Sequence, residues 1–433
     1  MSKIKLILIE LNEINFDIVK KYISKGEPLK SFEKIINTNL QTTQAENSYD
    51  NLEPWIQWPS VHTGLSFEEH EVFRLGDIVK CEADQIFEKI ESAGYRVGSI
   101  SAMNASNKLQ NPSYFIPDPW TATNPDSSYL SKALSDAISQ AVNDNSESKI
   151  SMKSIISLVI ALLTLVKITK LPKLAKYAIS SISKPWRKAI FLDMLLNEIH
   201  KTLIKRKKPD FSTIFFNAGA HIQHHYFYNS SVLKANNLNN PDWYIAKNHD
   251  PLLEILKAYD EILCDYLSNE SFELVVATGL SQKPYEELKF YYRLSNHELF
   301  LNKLGLTNFE VKPRMTRDFL ITFDSVENAL KSEKILKGIL VDKSLPLFAE
   351  VDNRGKDIFV VLTYPNEIDD NTFFDFNNAQ WKLKDFVSFV AIKNGEHQSK
   401  GFAYYSNKLQ NNLPEDNSHV SNIHNVIESY FQI

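Results

Sequence analysis

The chain is poor in cysteine: its 433 residues include only Cys81 and Cys264. Two cysteines cannot build a disulfide framework, and no Cys-x-x-Cys pair marks a structural zinc site, so the expected compartment is reducing. Positive charge is not in excess either. A net charge of -5 argues against a general nucleic-acid binder. No apolar run reaches the roughly twenty residues that span a bilayer. The opening MSKIKLILIELNE lacks the small-residue cleavage site of a signal peptide and reads directly as a strand. These absences together predict a cytoplasmic protein. Also missing are a P-loop, a Gly-x-Gly-x-x-Gly strand–helix unit and the elbow motif of a Ser-His-Asp hydrolase.

What is present is a 43% hydrophobic fraction, enough for a substantial core and one large or two medium domains. KLILIELN (5–12) is a near-continuous apolar run ending in polar residues, as a central parallel strand requires. YRVGSISA (95–102), DFSTIFFNAG (210–219) and FELVVATG (272–279) repeat that form. Helical periodicity falls between the strands, at 16–23, in DQIFEKIESAG before Gly94, and in PLLEILKAYDEILCDYL. The alternation predicts a doubly wound, mostly parallel α/β sheet. DFLITF, DIFVVLTY and FVSFVAI predict strands of a more mixed C-terminal region. The expected organisation is 1–145 as the first part of the core, 146–208 as an inserted helical cap and 209–433 as the remainder. The polar stretch NPDSSYLSKALSDAISQAVNDNSESK reads as the lead-in to that cap.

The insertion stands apart in charge. Residues 149–208 carry fourteen Lys and Arg against two acidic residues, around the apolar run IISLVIALLTLV at 155–166. Two readings fit: an interfacial helix with a basic rim on an anionic membrane surface, or a buried hairpin with solvated lysines.

Three of eleven histidines fall within FFNAGAHIQHHYFYN, as His221, His224 and His225, just after a predicted strand. In doubly wound sheets, ligands bind outside the carboxyl ends of strands. Asn12, Asn217 and Thr278 occupy the same kind of position. The stretches LILIELNE, EPWIQWPSVHTGLSFEEH, NAGAHIQHHYF, LVVATGLSQ and KNGEHQSKG follow one another as the motifs of the alkaline phosphatase superfamily do, and the chain resembles its type I phosphodiesterase and nucleotide pyrophosphatase branch. That resemblance implies two zinc ions around a Thr or Ser nucleophile. The ligands do not carry over. The first-strand Asp falls on Asn12 and its following Gly on Glu13. The nucleophile falls on or near Pro54, counting back from Thr63-Gly64. The Asp of Asp-x-x-x-His falls on Ala220, and Asp-His on Thr278 and Gly279; only His224 and the His397 of a Gly-x-His turn match. A two-zinc site needs anionic ligands that these positions lack.

The resemblance therefore implies the fold with a remodelled site. The expected catalytic groups are His224, His397, Glu10 and Glu13. Asn12, Gln57, Trp58, Asn217, His221, Thr278, Gln282 and Arg317 are the expected substrate contacts. Trp55 and Trp58 suit an aromatic wall, and Arg314 and Arg317 a phosphate clamp. His225 reads as packing and Arg354 as a turn residue. No cofactor is required on this reading, although a single divalent metal on His224, His397 and Glu10 or His221 would fit. The expected substrate is a phosphate-linked sugar or nucleotide sugar, as in bacterial surface polysaccharide biosynthesis at the inner membrane face, with no nucleic-acid partner. The chemistry is phosphodiester or phosphoryl transfer, or metal-independent glycosyl transfer. The alternatives are a glycan-precursor-binding pseudoenzyme and a one-metal phosphodiesterase.

Overall fold

The computed structural model describes residues 5–143, 164–233, 238–314, 317–377 and 379–433, which divide into two compact units. Unit 1 falls within Met1–Lys234, Ile245–Pro284 and Gly395–Ile433. Its strands are β1 (Lys5–Leu11), β2 (Leu40–Gln44), β3 (Val97–Ile100), β4 (Tyr114–Ile116), β5 (Phe211–Phe216), β6 (Phe272–Ala277), β7 (Lys400–Tyr405) and β8 (Ser418–His419). They form one sheet in the order β8-β2-β7-β6-β1-β5-β3-β4. β1 is central and runs parallel to both β5 and β6, and β3 and β4 extend the parallel set. Only β7 runs against its neighbours, β2 and β6. The doubly wound reading holds.

Ten helices of unit 1 matter to the site: α1 (Phe16–Ser24), α2 (Lys30–Asn37), α3 (Pro54–Thr63), α4 (Ile86–Ser92), α5 (Tyr129–Asn143), α6 (Leu171–Ser180), α7 (Trp186–Lys207), α8 (Ala218–Tyr226), α9 (Pro251–Leu267) and α10 (Asn422–Phe431). Alternate residues of β1 serve opposite layers. Leu6 and Leu8 join Trp58 and Val61 of α3, Phe87 of α4 and Val426 and Phe431 of α10 in one core cluster. On the other face Phe16 of α1 meets Phe32 of α2 and Phe402 of β7 at 5.5 and 5.4 Å. Phe216 of β5 meets Tyr259 of α9 there at 5.9 Å. α9 starts where its sequence says it should: Asp250 accepts from Leu253 N, and Pro251 fills the first turn, which needs no donor.

The apolar run at 155–166 lies outside the described residues except for its last three. After it come α6 and α7, and α7 is no detachable cap. Its buried residues Trp186, Ile190, Asp193, Leu196, Ile199, His200 and Leu203 recur at helical spacing. His200 bonds Ser212 of β5 at 2.7 Å and Tyr266 of α9 at 2.8 Å, and burial lowers its pKa to about 3. From Trp186 onward the segment belongs to the helical layer on the sheet, which its basic composition disguises. The polar lead-in is also helical in part, as α5. No helix among the described residues is long and apolar enough to cross a membrane.

Unit 2 falls within Ala235–Tyr244 and Tyr285–Asn394, inside the stretch that sequence assigns to the remainder of the core. An antiparallel sheet in the order Glu350–Asn353, Asp357–Val361, Asp318–Phe323, Phe309–Pro313 surrounds a core of Phe300, Phe319, Phe348 and Leu336. Arg317 belongs to this unit, and its guanidinium lies 4.2 Å over the Tyr291 ring. Its Nη1 donates to Leu362 O at 3.5 Å, so Arg317 braces its own unit where a phosphate clamp was expected. Arg354 pairs with Asp352 beside Gly355, whose φ of +92° makes the turn.

Gly219, at the start of α8, gives a test of the packing. An added Cβ would lie 2.4 Å from Ile14 Cδ1 and 2.9 Å from Tyr259 Cε2. Gly219→Ala is expected to cost about 1–3 kcal/mol in urea unfolding. Ile14→Val removes the Cδ1 atom, so the double variant should recover part of the loss.

Candidate metal centre

The register of β1 sets out the site. Glu10 lies beside Phe215 and Ala277, which brings Asn12, Asn217 and Thr278 to one edge, beyond the strands' carboxyl ends. Asn12 N donates to Phe216 O and Glu13 N to Thr278 O, both at 3.1 Å. Asn12 is buried and satisfied on all sides. Its Nδ2 donates to Glu13 Oε1 and Asn217 Oδ1, each at 2.9 Å, and its Oδ1 accepts from Trp58 Nε1 at 2.8 Å. The chain then turns, with Ile14 N returning to Leu11 O. Glu13 takes the third position of that turn with φ +60°. This left-handed backbone suits glycine, and a side chain there costs about 1–2 kcal/mol. The cost is borne at the position where the resembled motif has its glycine.

The strained turn delivers a carboxylate to two imidazoles. Glu13 Oε2 lies 3.1 Å from His224 Nε2 and 3.1 Å from His397 Nε2, and the two nitrogens are 3.2 Å apart. Gln282 Nε2 also donates to Oε2, and to Ala220 O at 3.1 Å. α8 holds both ends of the residue: His224 meets its carboxylate while the adjacent Gln223 donates to its carbonyl at 2.8 Å. His397 comes from the strand Val387–Gln398 rather than from the expected turn. Gly395 is required there, because a Cβ would meet Gln282 Oε1 at 2.1 Å and Gln223 O at 2.8 Å.

These three atoms fit one cation. Two imidazoles and a carboxylate form a donor set that zinc hydrolases use, with three protein ligands. Their 3.1–3.2 Å triangle is close to the roughly 3.3 Å edge of a tetrahedral zinc ligand set. Among the described residues no second group of three such ligands gathers, and the positions that the resemblance gives to a second cation are the neutral Asn12 and Thr278, and Pro54. His397 also turns Nδ1 toward Glu53 Oε2 at 3.5 Å, the carboxylate partner that orients a ligating histidine. The centre opens to solvent through His224, whose side chain is 34% exposed against 2% for Glu13.

Burial alone would raise the pKa of Glu13, but His397 and His224 more than reverse this and hold it well below the usual carboxylate range. Burial opposes charge on His397, yet Glu13 and then Glu53 raise it to about 9. His221 is solvent-accessible but recessed among protein atoms. That surrounding mass, then His224 and Lys188, holds its pKa below the ordinary imidazole value. Asp193, reaching in from α7, is buried and raised to about 7 by that burial, against hydrogen bonds from Tyr259 OH (2.7 Å), Ala218 N (2.8 Å) and Asn217 N (3.4 Å). It caps α8, because Asn217, the residue before the helix, has turned its side chain to Asn12.

The structure thus gathers Glu13, His224, His397, Gln282, Asn12 and Asn217, with His221 on the same helix as His224. Other expectations need correction. Glu10 does not supply the carboxylate; it is fully buried, with Oε1 on His62 Nε2 (3.1 Å) and Thr213 Oγ1 (2.7 Å). Trp58 is a core residue that positions Asn12, not a wall for ligand. Trp55 donates to Phe73 O. Buried Gln57 braces the loop at Glu46 N and Asn51 O. Thr278 Oγ1 accepts from Phe402 N within the sheet. The ring of His225 packs on that of His221 at 4.7 Å. Sequence reasoning passed over Glu53, Gln223, Asp193 and His62. Glu53 had a signal: it immediately precedes Pro54, the aligned nucleophile position.

No protein-family model and no curated protein sequence matches the chain. Among solved structures it is similar to phosphonoacetate hydrolase from Sinorhizobium meliloti 1021, at 12% identity over 99% of this chain and 96% of that chain, TM-score 0.45. It is also similar to murine ectonucleotide pyrophosphatase/phosphodiesterase 5, at 11% over 99% and 95%, TM-score 0.41. A third is the alkaline phosphatase from the Antarctic bacterium TAB5, at 10% over 100% and 99%, TM-score 0.41. All three are alkaline phosphatase superfamily members. The likeness is one of fold, and the fold assignment rests on the sheet order and register above.

Asp193 offers a pH test. Its folded pKa lies above its ordinary value of 3.8, so its contribution to stability is full below about pH 4 and is lost as pH rises through about 7. Asp193→Asn should flatten that part of the profile of melting temperature against pH. An unchanged slope would remove Asp193 as its source.

Proposed function

We infer that unit 1 is a phosphoester-processing catalytic unit of alkaline-phosphatase-like type, in which a single divalent cation on Glu13, His224 and His397 replaces a two-cation centre. The observation that carries this reading is the triangle of three ligand atoms at the strand edge, with His224 open to solvent. When bound, the cation would supply positive charge that polarises a phosphoryl oxygen. The chain's own groups divide the remaining work. Glu13 supplies the anionic ligand, held by Asn12 and Gln282. His397 is oriented by Glu53. With proline at position 54, the attacking hydroxyl comes from water or from an acceptor molecule. Glu53, 32% exposed beside that position, fits the base that takes its proton.

The substrate class proposed is a phosphate-linked sugar or nucleotide sugar, as in surface polysaccharide assembly. Support comes from the part-buried amide of Asn217 beside the centre. An amide both donates to and accepts from hydroxyls, whereas a carboxylate only accepts. A second reading, metal-independent glycosyl or phosphoryl transfer, is favoured by His397, which without a cation stays protonated at neutral pH and is a proton source of the chain's own.

Elemental analysis and turnover separate the two. Purified chain loaded with Zn²⁺ or Mn²⁺ should hold one equivalent. Glu13→Gln should lose it and lower kcat/KM by more than about a hundredfold on a panel of phosphodiesters and nucleotide sugars. Full activity in chelator-treated protein and in Glu13→Gln would instead support metal-independent transfer. Cation binding should also be proton-coupled. The raised pKa of His397 gives the metal-free protein stability that is present below pH 6.5 and lost as pH rises through about 9. Cation and proton compete there, so affinity should climb by up to about tenfold per pH unit toward pH 9, and titrations in buffers of different ionisation enthalpy should register the released proton.

A further inference from the structure

α6 and its flanking turns carry their apolar side chains outward. Ile168, Ile179 and Ile182 are 83%, 70% and 88% exposed, and Pro172 and Ala175 are exposed between them, at spacings of three and four. Leu174 is the only residue of α6 that is buried. A helix on the surface of a soluble protein ordinarily shows polar residues on that side.

The charges are sorted as well. Residues 164–208 hold twelve Lys and Arg against two acids, Asp193 and Glu198, in a chain whose net charge is -5. Both acids are buried, so this segment presents no carboxylate to solvent. Its inward cations are paired: Lys173 with Glu261, Arg187 with Glu254, Lys201 with Asp265. Lys167, Lys170, Lys176 and Lys184, which flank the exposed isoleucines, have no ion-pair partner among the described residues.

We propose that this face seats the protein on an anionic lipid bilayer. Protruding aliphatic side chains enter the boundary between headgroups and acyl chains, and the lysines around them meet lipid phosphates. The charge complementarity selects an anionic surface, and the isolated, near-fully exposed isoleucines suit a deformable lipid phase better than a rigid protein surface. The inference is independent of the reaction assigned to the metal centre.

Flotation of the full chain with vesicles of phosphatidylcholine alone, and of equal parts phosphatidylcholine and phosphatidylglycerol, tests it. Binding is expected to the mixed vesicles only and should weaken with salt. The triple variant Ile168→Ser/Ile179→Ser/Ile182→Ser should weaken it by about a hundredfold. Lys167→Gln/Lys176→Gln/Lys184→Gln should remove the preference for phosphatidylglycerol. All six positions are solvent-exposed or partly so, and an unchanged melting temperature confirms that the variants are folded. Equal behaviour on both vesicle types, or triple-serine binding like that of the parent chain, overturns the proposal. So does an absence of vesicle binding together with a sedimentation shift in the triple-serine variant, which would make the face a contact between copies.

Discussion

A single oxygen, Glu13 Oε2, is the point on which the site depends. It faces three nitrogen atoms, from His224, His397 and Gln282, in a place where water barely reaches. One carboxylate oxygen so heavily engaged stays charged, and its charge in turn decides the protonation of His397. The left-handed backbone at Glu13 is unfavourable in isolation. It persists because neighbours on every side over-determine the turn: Thr278 O takes its amide, Gln223 its carbonyl, and Asn12 its other carboxylate oxygen.

Around that oxygen the fold supplies successive layers of restraint. Trp58 is too deep to meet a ligand, but its indole fixes which way Asn12 presents its amide, and Asn12 then aligns both Glu13 and Asn217. Asp193 does the work that Asn217 gave up when it turned away from its own helix. Against the resembled motif, neutral groups stand at the strand ends in place of acidic ones, and the hydrogen bonds among them close an internally consistent centre. In the same comparison the carboxylate lies one residue further along the chain, at Glu13 rather than at Asn12.

Much of the fold was legible in the sequence because central parallel strands write themselves as unbroken apolar runs: β1 and β6 lie within two residues of their expected limits and β5 within three. Strand ends then located Asn12, Asn217 and Thr278. The order of motifs selected His224 and His397, now seen in contact. What composition could not supply was the partner of each buried charge. Glu10 looked like a ligand because a carboxylate in an apolar strand needs a partner, and that partner is His62, distant in sequence. Trp58 and Gln57 lie in a polar-aromatic stretch whose side chains mostly turn inward, a matter of helix orientation that spacing does not settle. α7 hid its role because its lysines dominate its composition while Asp193 and His200, two polar residues among many, make the contacts that matter. The second unit was unreadable as separate because its strands alternate like those of any mixed sheet.

The positions of the three ligands along the chain have a consequence for biosynthesis. Residues 13, 224 and 397 meet only after the strand that carries the last of them has been made. A nascent polypeptide can lay down β1, β5 and β6 in their parallel order long before then, yet it cannot hold a cation at this point. The three-ligand site proposed for a cation is thereby complete only once residue 397 has been made, later than the parallel strands that frame it.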